Sequence, residues 1–127
     1  MGGLLPVVTI ESKGLMPEGS IGTFIPTNIN KLYKFAKQMD CGTLYCLNGS
    51  QGVIIIHFAI NAENSVYVKS FKGIGKTIIY KNKEGELFIR FLERTSPVYV
   101  FYLNSGKRDF KEFEYNDSEY IELEAGG

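Results

Sequence analysis

The 127-residue chain has no tryptophan, one histidine (His57) and two cysteines (Cys41 and Cys46). Two cysteines are too few for a disulfide framework. One histidine with two cysteines also falls short of the four ligands of a closed Cys/His zinc site. We therefore expect no cofactor and no structural metal. Net charge is zero, so no global field draws the chain to nucleic acid or to an anionic membrane. No apolar run approaches the ~18 residues that a membrane-spanning helix needs. The opening MGGLLPVV has no basic start and too short an apolar stretch for a signal peptide. Pro6 stands where a myristoylation motif wants Ser or Thr. These absences point to a soluble, cytoplasmic protein with no membrane partner.

What is present suits one domain, residues 1–127. Apolar residues make up 44% and charged residues 22%, a balance that supports a packed core rather than disorder. Nine Phe and eight Tyr favour strands. Charge is unevenly spread. Residues 31–94 hold ten Lys and Arg against five Asp and Glu, whereas residues 95–127 hold three against seven. An acidic C-terminal part can dock on a basic middle, within one molecule or between two. Solvated charges that never meet are the plainer alternative.

Periodicity predicts one helix, near residues 28–40. Ile29, Leu32, Ala36 and Met39 recur at helical spacing, Thr27 or Asn28 can cap the start, and Gly42 can stop it. Lys31, Lys34 and Lys37 form a second stripe, read as a solvated face. Elsewhere alternation and turn residues predict strands at about 4–11, 21–25, 43–47, 53–60, 66–71, 76–81, 86–93, 98–103, 110–115 and 119–123. The turns between the later strands, such as NAENS, NKEG and NDS, are short and rich in residues that tolerate turn dihedrals. Short connections make neighbouring strands antiparallel. The expected fold is α+β: mainly an antiparallel β meander, curled, barrel-like or two-layered, with one amphipathic helix.

Two strands lack a polar side. GVIIIHFAI (52–60) and PVYVFYL (97–103) are apolar or aromatic at both alternating sets. A strand with one wet face alternates apolar with polar, so these two call for cover on both faces. A single helix of about 18 Å, from 12 residues at ~1.5 Å each, is too short to provide it. Closure of the sheet, a second layer or a second subunit is needed.

Gly75-Lys76-Thr77 matches the end of a phosphate-binding P-loop. Ser70 occupies the first glycine position, and IIYKN follows where a helix is required. The phosphate site of a P-loop depends on amides at a helix N-terminus, so no nucleotide is expected and GIG reads as a hairpin tip. Tyr67, Lys69, Phe71, Lys76, Tyr80 and Arg90 place aromatic and basic groups on nearby strands, a pattern able to stack bases and follow phosphates. Core aromatics with lysines at the rim are the alternative. Cys46 and His57 become diagonal neighbours if the NGSQG turn pairs Leu47 with Ile54, and a thiol dyad is then conceivable. A one-residue slip puts them on opposite faces. The glutamates from Glu112 to Glu124 read as exposed alternation on charged strands that resist sheet growth, and Gly126–Gly127 as a flexible tail.

The reading is a non-enzymatic protein-binding or assembly module acting through an apolar surface patch. Its partner is a second copy, as a homo-oligomer, or another protein. A single-stranded nucleic-acid-binding domain and a Cys–His thiol enzyme are the alternatives.

Overall fold

The computed structural model describes residues 20–48, 52–70, 77–104, 106 and 108–123. Within them the chain is all-β. The strands are β1 (Ile21–Phe24), β2 (Leu32–Ala36), β3 (Cys41–Asn48), β4 (Gly52–Ile60), β5 (Val66–Ser70), β6 (Thr77–Lys81), β7 (Leu87–Phe91), β8 (Val98–Tyr102), β9 (Glu112–Phe113) and β10 (Ile121–Leu123). They form two five-stranded antiparallel sheets. The first has the order β1-β8-β3-β4-β5, and the second β10-β6-β7-β2-β9. No helix among the described residues is long and apolar enough to cross a membrane. The expected strand at 4–11 and the Gly126–Gly127 tail lie outside the described residues.

The antiparallel strands and the two-layer arrangement agree with the sequence reading. The helix does not. Residues 32–36, LYKFA, form a strand buried on nearly every position, and Ile29 and Met39, the ends of the supposed helical stripe, are exposed. Apolar residues at 32, 33, 35 and 36 fit a helix face and a strand covered on both sides equally well, and periodicity alone does not separate these. The slot between β7 and β9 decides the matter. Tyr33 and Phe35 enter the core between the sheets, while Leu32 packs on the far face of the second sheet. A register shift between Lys34 and Ala36 marks a bulge, which turns both Phe35 and Ala36 toward the core. Asn30 and Met39, at φ 65° and 73°, bracket the strand with left-handed turns. Gly42, expected to stop the helix, lies inside β3, where a Cβ would sit 1.8 Å from the carbonyl oxygen of Phe101. Only glycine lets β3 approach β8 so closely.

The meander is also only partial. β3, β4 and β5 follow one another as hairpins, and β6 pairs with β7. β2, by contrast, leaves its neighbours in sequence for the second sheet, and β8 returns to lie between β1 and β3. The sheets share one core. Leu44, Cys46, Ile54, Ile56, Phe58, Val98 and Val100 from the first meet Phe35, Ile79, Leu87, Ile89 and Phe91 from the second. Phe35 meets Phe58 edge-on at 5.3 Å. Beside β1, Phe110 stacks on Phe24 at 4.7 Å, from a backbone held at φ 44°.

A buried ion pair ties the segment after β8 to the β2–β3 turn. Arg108 Nη2 donates to Asp40 Oδ1 at 2.8 Å, with the two side chains 9% and 2% exposed. Asp40 also accepts the Lys37 backbone N–H at 3.0 Å. The guanidinium lies 3.5 Å over the Tyr102 ring, and the Tyr102 hydroxyl donates to the Phe35 carbonyl. Removing one partner strands a buried charge, which typically costs about 3–5 kcal/mol. Arg108→Ala should lose about that much in urea unfolding, against less than ~0.5 kcal/mol for Lys111→Ala at an exposed position. Equal losses in the two variants would show that the pair does not hold this corner.

Candidate protein-binding face

The far face of the second sheet is covered by the chain itself. Leu32, Tyr80 and Phe88 are buried there beneath Phe113, Tyr115 and Tyr120. Phe88 contacts Phe113 and Tyr120 at 5.5 and 5.0 Å between ring centres. Arg90 lies 4.4 Å over Tyr115 and donates to the Tyr80 hydroxyl at 2.8 Å. Charge helps hold this C-terminal strap. Lys31 pairs with Glu114, which raises the lysine pKa through their hydrogen bond. Glu112 accepts from Tyr33 at 2.7 Å and from Asn28 at 3.1 Å, and these bonds hold its carboxyl below the usual range. One lysine of the basic middle, Lys31, thus pairs with an acid of the C-terminal part, Glu114, within one molecule.

The far face of the first sheet is different. Alternation along β4 sends Ile54, Ile56, Phe58 and Ile60 into the core, and Val53, Ile55, His57 and Ala59 outward. β8 buries Val98, Val100 and Tyr102 and turns Tyr99 and Phe101 outward. Register aligns the outward residues in rows across the strands. One row runs Thr23, Tyr99, Tyr45, Ile55. The next runs Ile21, Phe101, Thr43, His57, Lys69. Leu47 opposite Val53 extends the face at one end, and Cys41, Ala59 and Tyr67 at the other.

Leu47 is 59% exposed, Tyr67 55%, Val53 44%, Tyr99 40% and Phe101 39%. Tyr45 meets Phe101 edge-on at 6.0 Å. Among the described residues of this face there is no carboxylate, and Lys69, on the edge strand β5, is the one lysine or arginine. No described segment crosses the face as the C-terminal strap crosses its counterpart. Among the described residues, the cover expected on both sides of 52–60 and 97–103 is therefore present on the core side alone.

The other sequence candidates separate. Tyr67 and Lys69 lie on the first sheet, Tyr80 and Arg90 on the far face of the second. Phe71 and Lys76, with Gly75 of the P-loop-like stretch, lie outside the described residues. The NGSQG turn pairs Leu47 with Val53, one residue from the supposed register, so Cys46 faces Ile54. Cys46 is fully buried in the core, while His57 faces outward across from Lys69. The dyad geometry does not form. No group of three or more His, Cys, Asp or Glu among the described residues is arranged to hold a metal ion. Tyr99, Phe101, Tyr45 and Ile55 were not singled out from the sequence as site residues. Their signal was there, in the doubly apolar alternation of residues 52–60 and 97–103.

Comparison of the chain with protein-family models, with curated proteins and with solved structures finds no match.

Burial pushes the Cys46 thiol up to about 12. An unfolded thiol ionises near ~8.5. Above that pH the unfolded state loses a proton that the folded state keeps, so stability should fall as pH rises from about 8.5 toward 12. Iodoacetamide at pH 8 should label Cys46 only after denaturation. Rapid labelling of Cys46 in the native chain would contradict the buried placement.

Proposed function

We propose that the protein is a non-enzymatic binding or assembly module whose contact surface is the outward face of the first sheet. Its partner is another copy of the chain or a different protein. One observation carries this reading: a five-stranded face, rich in aromatic and aliphatic side chains, whose described residues include no carboxylate and a single lysine, at its edge. Contiguous exposed apolar patches beyond a few hundred Å² are uncommon on soluble monomers and mark interaction sites. Depletion of charge at the centre, with Tyr and Phe enriched, is the composition of an interface core.

Oligonucleotide binding has less support. Tyr67 and Lys69 remain on this face, but their companions Tyr80 and Arg90 are on the other sheet, and one lysine gives little phosphate neutralisation.

The test combines sedimentation velocity with binding of a hydrophobic dye. Phe101→Glu places a charge within the patch at a position that is already 39% exposed. A covered face should lose its larger species in this variant. A bare face should lose dye fluorescence. Thermal unfolding should move by only a few degrees, as for a surface substitution of about 1 kcal/mol. If the variant matches the wild type in both measurements, this face is not the working surface.

A further inference from the structure

The face named above can be assigned a partner, and the inference rests on that reading. We infer that the occupant is a second copy of the same chain, packed face to face on the outward side of the first sheet to give a four-layer stack.

Area, charge and centring each bear on this. Five strands spaced about 4.8 Å apart make a face roughly 24 Å wide. Their lengths, from four residues in β1 to nine in β4, average to roughly 20 Å at ~3.4 Å per residue. The flat area is then roughly 500 Å², and two copies contribute roughly 1,000 Å², the threshold for a specific protein interface. Side-chain relief adds to it. An interface of that size is weak and reversible, so association in the micromolar range is expected.

An isologous interface sets a patch against itself, and any central charge would meet its own kind. Here the central positions are Thr43, Tyr45, Tyr99 and Ile55. None carries formal charge at neutral pH. Lys69 sits on the outermost strand, where two copies keep it at the wet rim. A face whose described residues include no carboxylate, and one lysine at the rim, offers a foreign partner little charge to steer by, whereas self-packing needs none. Two aligned sheets pack about 10 Å apart with strands rotated about 30°, and side chains such as Tyr99 and Phe101 can interleave at that distance.

β3 is the middle strand of the sheet, and Thr43 lies in its outward row between Phe101 and His57. In a two-fold arrangement centred on the patch, each Thr43 faces the Thr43 region of the other copy. Charges introduced there must repel in like pairs and attract in unlike ones. Full-length Thr43→Glu and Thr43→Lys should each dissociate at least tenfold more readily than wild type in sedimentation equilibrium. An equimolar mixture should recover a heterodimer. Leu47→Asp, at an exposed position, serves as a second disrupting variant should the Thr43 variants fold poorly by circular dichroism.

Wild type that stays monomeric at ~100 μM, well above the micromolar range expected for such an area, overturns the inference. Dye binding then separates the two levels. A monomer that binds dye, and loses the signal in Leu47→Asp, leaves the binding face standing with a different partner. A monomer that does not bind dye removes the face as well. A wild-type dimer unaffected by Thr43→Glu, Thr43→Lys and Leu47→Asp uses another surface and overturns the inference, and dye binding then decides the face in the same way.

Discussion

The register of β3 against β4 and β8 governs the rest of the molecule. Side chains alternate along a strand, so one residue of slip exchanges core for surface throughout. With Leu44 opposite Ile56 and Val100, the inward set is Leu44, Cys46, Ile54, Ile56, Val98 and Val100. The outward set is then Tyr45, Leu47, Ile55, Tyr99 and Phe101. Both sets are apolar, so hydrophobicity alone discriminates weakly between registers. Two local devices favour the observed one. Gly42 admits the Phe101 carbonyl where any side chain would collide. Arg108 and Asp40 fix the end of β8 to the turn that starts β3.

The two sheets solve the same burial problem differently. Each has one face in the shared core and one facing away from it. The second sheet draws down its own C-terminal segment, with Phe113, Tyr115 and Tyr120 lying over Tyr80 and Phe88. Lys31, Tyr33 and Asn28 hold the acids of that segment in place. Exposed ion pairs contribute little each, so the aromatic contacts supply most of the attachment.

The strands were legible because turn chemistry marked their ends. Asn61 Oδ1 accepts the N–H groups of Glu63 and Ser65, and Asn82 Oδ1 those of Glu84 and Glu86, local bonds written directly in the sequence. The doubly apolar pattern of residues 52–60 and 97–103 was equally local. What did not show was long-range. LYKFA reads as helix until β7 and β9 are known to flank it. The placement of β8 beside β3, about 55 residues apart in sequence, leaves no local trace. The NGSQG turn did not reveal its register, and with it went the relation of Cys46 to His57. The candidate face was therefore readable as an excess of apolar side chains, but not as a surface. Its rows exist only after non-neighbouring strands are paired.

A sheet with an apolar outer face has two routes to a partner, by its edges or by that face. Edge growth adds strands through open backbone groups, and a charged side chain on the edge works against it. β5, one edge of the first sheet, carries Lys69 and exposes it. A second copy joining there would bring two lysines close together while leaving most of the apolar face wet. Face-to-face packing reverses both terms. The lysines stay at the rim, and Tyr99, Phe101, Ile55 and Leu47 leave water together. Removing the face from solvent takes more apolar surface out of water than pairing at the edge does, and apolar burial is the main favourable term in association. The arrangement of charge on this sheet thus opposes growth by its β5 edge, as the proposed contact through the broad face requires.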